Sequence, residues 1–148
     1  MTIIHKDVQE GYEVSGNPKT ITEERVYAFS GGVRQDPNYP KKNIHTDSEC
    51  AKSCGLPSRV ASGAMFEGYL AELMIDLFGE GWLSGGKMSL TFIAIVDIGD
   101  TLLPRAIVRS KQAEGSAVRF ALSVWCENLQ GDKVVVGTAT GTVRGREE

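Results

Sequence analysis

Residues 64–78, Ala-Met-Phe-Glu-Gly-Tyr-Leu-Ala-Glu-Leu-Met-Ile-Asp-Leu-Phe, constrain the fold more than any other stretch of the chain. Phe66, Leu70, Leu73 and Leu77 recur at helical spacing, and Met65, Tyr69 and Met74 widen the same side. Glu72 and Asp76 mark a narrow polar strip with Glu67 near its edge. One neighbouring helix does not cover so wide an apolar surface, whereas a curled sheet does. Gly79 stands where a helix stop favours a left-handed residue. After Trp82 the apolar period changes from 3.6 to 2: Met88, Leu90, Phe92 and Ala94 alternate with Lys87, Ser89, Thr91 and Ile93. Further strands are expected over 102–110, 117–128 and 133–143, with Val118, Phe120, Leu122 and Val124 on one face. Turns at Asp97-Ile98-Gly99-Asp100 and Gln130-Gly131-Asp132 separate them. Helices followed by antiparallel strands define an α+β chain.

Upstream, Thr22 can cap a helix running to about Phe29, and Glu23 and Glu24 suit the positive end of its dipole. The helix stops at Gly31-Gly32. Residues 33–44 hold Pro37 and Pro40 and show no apolar period, so they read as a loop. Asp47 or Ser48 can cap a short helix ending at Gly55. Gly63, which opens the long helix, follows Asp47 by 16 residues. A polar loop, Asn43-Ile44-His45-Thr46-Asp47, is thereby set near a helix N-terminus, where unpaired N–H groups can hold a developing negative charge. A histidine that moves protons beside such a site is the minimal equipment for chemistry on a carbonyl or thioester. The other histidine, His5, is expected near a loose N-terminus, which leaves His45.

At 148 residues the chain reads as one domain, 1–148. A net charge of −3 provides no basic footprint and argues against nucleic acid. No apolar run reaches the ~20 residues that span a bilayer. The first seven residues lack a long apolar signal core, so a cytoplasmic location is expected. Cys50, Cys54 and Cys126 then read as reduced thiols. With no second cysteine pair and no suitably spaced histidine, zinc is not expected.

Several segments recur in a familiar order between Thr20 and Val143: Ile21-Thr22-Glu23-Glu24, then Phe29-Ser30-Gly31, then Ile44-His45-Thr46-Asp47 with Ala51 downstream. Ser62-Gly63-Ala64-Met65 follows, and Ser89-Leu90-Thr91-Phe92 leads through to Gly99-Asp100-Thr101. In this order they resemble the MaoC-like dehydratase family, which has the hot-dog fold and includes (R)-specific enoyl-CoA hydratases. Ser62-Gly63-Ala64-Met65 stands in the place of that family's His-Gly-Met. The resemblance implies one long helix wrapped by an antiparallel sheet. It also implies a homodimer joined edge to edge with the site near the subunit boundary; trimers and hexamers occur in related folds. The implied activity is hydration of a 2-enoyl thioester or dehydration of a 3-hydroxyacyl thioester. Asp36 and His45 would share the water and the C2 proton, and the N–H of Gly63 would polarise the thioester carbonyl. No metal or redox cofactor is implied, since coenzyme A or a carrier enters as part of the substrate. Two alternatives stand beside this activity. One is another thioester enzyme, a thioesterase or a biosynthetic lyase or cyclase, in which His45 acts without Asp36. The other is a non-catalytic subunit that binds an acyl thioester or a partner protein.

The family motif Ser-Gly-Asp-x-Asn-Pro-x-His is departed from. Gly32 follows Ser30-Gly31, and His45 arrives eight residues later than the motif places it. Asp36-Pro37-Asn38 with Pro40 is either the motif's Asp-x-Asn-Pro, stretched, or an ordinary turn before Pro37. Asp47 reads as a helix cap. Asn43 can hydrogen-bond the nucleophile or the loop backbone. Gly63 allows close approach of a thioester carbonyl or of a packed neighbour. Ser62 reads as an N-cap, because no Ser-x-x-Lys or Gly-x-Ser-x-Gly element accompanies it. Gly85-Gly86-Lys87 lacks P-loop spacing. Lys41, Lys42, Arg34 and Arg59 are either contacts for the phosphates of coenzyme A or solvated surface.

Overall fold

The structure, a computed structural model, describes residues 4–145. Residues 1–3, part of the stretch read for an export signal, lie outside them, as do residues 146–148. The long helix, α3 (Gly63–Phe78), buries Met65, Phe66, Leu70, Leu73, Met74, Leu77 and Phe78. Four main strands wrap it: β3 (Lys87–Phe92), β4 (Thr101–Glu114), β5 (Ala117–Asn128) and β6 (Lys133–Val143). Two short strands, β1 (Glu13–Ser15) and β2 (Lys19–Thr20), add to the outer edge of β4 and have no period of their own to announce them. The sheet order is β1-β4-β5-β6-β3, with β2 also on β4, and every pairing is antiparallel.

The register matches inward residues across strands. Ala106 opposes Val124 and Val108 opposes Leu122 on β4 and β5. Leu122 opposes Ala139 and Phe120 opposes Gly141 on β5 and β6. A Cβ at Gly141 would lie 2.5 Å from the Phe78 ring, so only glycine lets the end of α3 settle onto β6 there. Phe78 meets Phe120 with ring centroids 6.2 Å apart. Burial of each large apolar side chain in this core contributes about 1.5–3 kcal/mol.

Four expectations change in detail. β4 continues to Glu114, past its expected end at 110, by way of a register shift between Val108 and Ser110. β3 ends at Phe92, because Ile93 and Ala94 both donate to the Val134 carbonyl, and Phe92 and Ala94 are exposed where the alternation expected them covered. A short helix, α4 (Glu80–Leu83), follows Gly79, whose φ of 56° turns the chain out of α3. The segment around His5 is not loose: Ile4 is fully buried and its N–H donates to the Leu77 carbonyl at 3.1 Å, while His5 itself is exposed. No helix among the described residues is long and apolar enough to cross a membrane.

Candidate active site

Two short helices frame the polar loop. α1 (Glu23–Ser30) is capped by the Thr22 hydroxyl, which accepts from Arg25 N at 3.3 Å. α2 (Ser48–Ser53) is capped by Asp47, whose carboxylate accepts from Cys50 N at 2.8 Å. Asp47 is therefore committed to a helix end, as expected of a cap residue at that place.

Asn43 organises the loop between these helices. Its Nδ2 donates to the Ser30 carbonyl at the end of α1 at 2.7 Å, and its Oδ1 accepts the backbone N–H of His45 at 2.9 Å. The buried Thr46 hydroxyl donates to the Lys41 carbonyl at 2.6 Å and accepts from Asn43 N at 3.1 Å. His45 is half-buried, with Nδ1 2.7 Å from the Val60 carbonyl oxygen. A carbonyl only accepts, so Nδ1 carries the proton. In the neutral ring Nε2 is then the unprotonated base. Val60 lies three residues before Gly63, so this bond ties the histidine to the segment that opens α3.

At that opening Ser62 occupies the N-cap position, as expected, without a side-chain hydrogen bond to the first turn. The first-turn N–H groups of α3 are left to other acceptors. Gly63 is half-buried under the Phe92 ring, and a Cβ there would lie 2.9 Å from that ring. Close packing against β3 thus accounts for the glycine. Phe92 is 48% exposed and helps line a groove of about 400 Å³ with Glu67, Ala71, Trp82, Met88 and Leu90.

Asp36 stands elsewhere. It is exposed, its Oδ1 accepts from Asn38 N at 2.8 Å, and it lines a separate concavity of about 250 Å³ with Gly32, Val33, Tyr39 and Lys41. No hydrogen bond joins it to His45 among the described residues. The His45–Val60 bond sets the Asn43–His45 loop against the segment that leads into Ser62 and Gly63, while Asp36 is held in its own turn. Arg59 is not a free surface cation. Its guanidinium donates to Glu23 Oε1 at 2.8 Å and to the Tyr27 hydroxyl at 3.2 Å, and that hydroxyl donates to Glu23 at 2.8 Å. The Arg59 bond, then the Tyr27 bond, holds the Glu23 carboxyl below its ordinary range. Burial pushes the Cys126 thiol up to about 12, so it is protonated at neutral pH and no nucleophile. Among the described residues no group of three or more His, Cys, Asp and Glu is placed to hold a metal.

Sequence reasoning missed the Val60 carbonyl and the Arg59 cluster. A backbone acceptor leaves no mark in side-chain identity, and Arg59 lies 36 residues from Glu23. The one available signal was Arg59's place just before the helix-opening segment.

An antiparallel sheet rolled around one long helix, with a histidine loop docked beside the helix start, defines a hot-dog domain. The chain belongs to the family described as MaoC like domain, whose profile matches residues 7–128. It is 30% identical over 147 residues to an (R)-specific enoyl-CoA hydratase from Rhodospirillum rubrum, covering 97% of this chain and 95% of that protein. In fold it resembles the MaoC-like dehydratase crystal structure from R. rubrum, with a TM-score of 0.76 at 18% identity and 97% of each chain covered. It likewise resembles the (R)-hydratase of A. caviae involved in PHA biosynthesis, with a TM-score of 0.70 at 16% identity, covering 95% of this chain and all of that one.

Proposed function

We propose that the protein catalyses reversible hydration of a 2-enoyl thioester. The observation that carries this is the His45 Nδ1–Val60 bond of 2.7 Å, which presents Nε2 as a base beside the start of α3. Family membership and the 30% identity to a hydratase support the substrate class. In the forward direction His45 Nε2 takes a proton from water as its oxygen bonds C3. The C2=C3 electron pair moves onto the thioester, whose oxygen gains charge that the Gly63 N–H stabilises. The enolate then collapses and C2 takes a proton. That proton is the one His45 took from water, returned by the histidinium, and Asp36 is proposed to share the water and this proton with His45. No step requires a metal or redox group, and coenzyme A or a carrier arrives as part of the substrate.

The Asp36 turn favours one second reading, a thioester enzyme in which His45 works without an aspartate partner. A panel of 2-enoyl, 3-hydroxyacyl and saturated acyl thioesters tests the pair. Loss of enoyl absorbance without thiol release is expected. Thiol release from saturated substrates would favour the second reading, and silence across the panel would sink both.

We further propose a homodimer through β3, in a protein that works in the cytoplasm. The β4 edge is covered by β1 and β2, whereas among the described residues no strand pairs with the outer edge of β3. Ile93 and Ile95 beside it are 53% and 59% exposed, alongside Phe92 and the apolar groove. An open apolar edge is a pairing surface, and a two-fold copy satisfies it. Sedimentation is expected to show a dimer at micromolar concentration, and Phe92→Lys to shift it toward monomer. A wild-type protein that sediments only as monomer would refute this.

A further inference from the structure

We propose that Arg59, Glu23 and Tyr27 form a positioning unit that fixes the orientation and tautomer of His45 through the backbone of Val60. The inference rests on His45 being the working base. His45 has two fixed points, and both trace back to α1. Its backbone N–H is held by Asn43 Oδ1, and Asn43 Nδ2 is held by the Ser30 carbonyl at the end of α1. Its ring is held by the Val60 carbonyl. The peptide unit that carries that carbonyl is anchored on one side by its own N–H, since Ala61 N donates to the Val96 carbonyl at 2.8 Å. On the other side the adjacent residue is Arg59, clamped to Glu23 and Tyr27 on α1. Val60 N also donates to the Ile44 carbonyl at 3.4 Å, and α1 holds the segments on both sides of that contact.

The clamp has features suited to positioning rather than to stability. The Glu23 side chain is half-exposed, and an ion pair so placed contributes little to folding. All three members nevertheless bond one another, with Glu23 Oε1 receiving both the guanidinium and the phenol. A guanidinium that donates to two partners at once fixes its own direction, which a single contact does not. If it is released, residues 57–60 lose their side-chain attachment to α1 and are held, among the described residues, only by Ser58 on Asp97, by Val60 N on the Ile44 carbonyl and by Ala61 N on the Val96 carbonyl. The Val60 peptide plane can then tilt about its Ala61 anchor, the bond to the His45 ring weakens, and the imidazole can adopt the other tautomer, whose Nε2 bears a proton and is no base.

The test uses the full chain and reads the ring directly. Imidazole nitrogen shifts of His45, separated from those of His5 by a His5→Gln variant, are recorded for wild type, Arg59→Met, Arg59→Lys and Tyr27→Phe. Wild type is expected to show the Nδ1–H tautomer alone. Arg59→Met is expected to populate the Nε2–H tautomer and, on a short 2-enoyl-CoA, to lower kcat by about 10²-fold with KM nearly unchanged, the scale of a misplaced catalytic group. Arg59→Lys keeps one contact to Glu23 and is expected to recover most of both signals. Tyr27→Phe removes a single hydroxyl and reports the same shift at smaller amplitude should Arg59→Met fold poorly. An unchanged tautomer in both Arg59→Met and Tyr27→Phe overturns the proposal. So does a rise in KM for coenzyme A thioesters, absent with pantetheine thioesters, at constant kcat, because Arg59 would then be meeting phosphate. The nitrogen shifts need no turnover, so a protein inert toward thioesters would fail the proposed activity without deciding the positioning role.

Discussion

His45→Ala is expected to lower turnover of 2-enoyl thioesters by about 10²–10⁴-fold, the usual contribution of a positioned general base. The fold should persist, since His45 is only half-buried and the loop keeps the Asn43–Ser30 and Thr46–Lys41 bonds. Initial rates from enoyl absorbance, with circular dichroism as the folding control, measure it. The companion variant Asp36→Asn divides the mechanism. Equal loss in both variants means that the 31–43 loop carries Asp36 to the reacting water during turnover. Near wild-type activity in Asp36→Asn means that the turn seen here is its whole role. A His45→Ala protein with full activity would remove His45 from the chemistry altogether.

Phe120→Ala is expected to cost about 3–5 kcal/mol of stability, the range for truncating a buried aromatic. That is a large part of the roughly 5–15 kcal/mol holding a domain of this kind together. Phe120 is fully buried, and its neighbour across the strand pair is Gly141, which has no side chain to relax into the gap. The Phe78 ring above would lose its partner and hang over a void. Urea unfolding with an unchanged m-value and a lowered midpoint is the expected signature. A loss below 1 kcal/mol would mean that α3 and the sheet can close the cavity, against the tight seat at Gly141. Phe78 ends α3 and Gly63 begins it, so the native fraction should keep its rate constants.

The long helix and the three long strands were legible because each buries one continuous face, and burial imprints a period. Thr22 and Asp47 were legible as caps because a cap needs a short acceptor side chain at one position. β1 and β2 were not, since strands of three and two residues are too short to show an alternation. Within the site, His45 could be singled out by scarcity and by its distance from the helix start. Asp36 could not be settled by reading, because Asp before Pro is the natural spelling of both a turn and a stretched motif. What holds the His45 ring was invisible for a different reason: the acceptor is the carbonyl of Val60, and every residue has one.

The loop from Gly31 to Lys41 is pinched shut at its neck. Lys41 N donates to the Gly31 carbonyl at 2.7 Å, and just outside that closure Asn43 holds Ser30. The closure fixes both ends of the loop, so its tip can be lengthened or exchanged without moving the backbone anchors of His45. Asp36 rides on that tip, so such an exchange would ask whether turnover needs the aspartate or only a closed loop of this span.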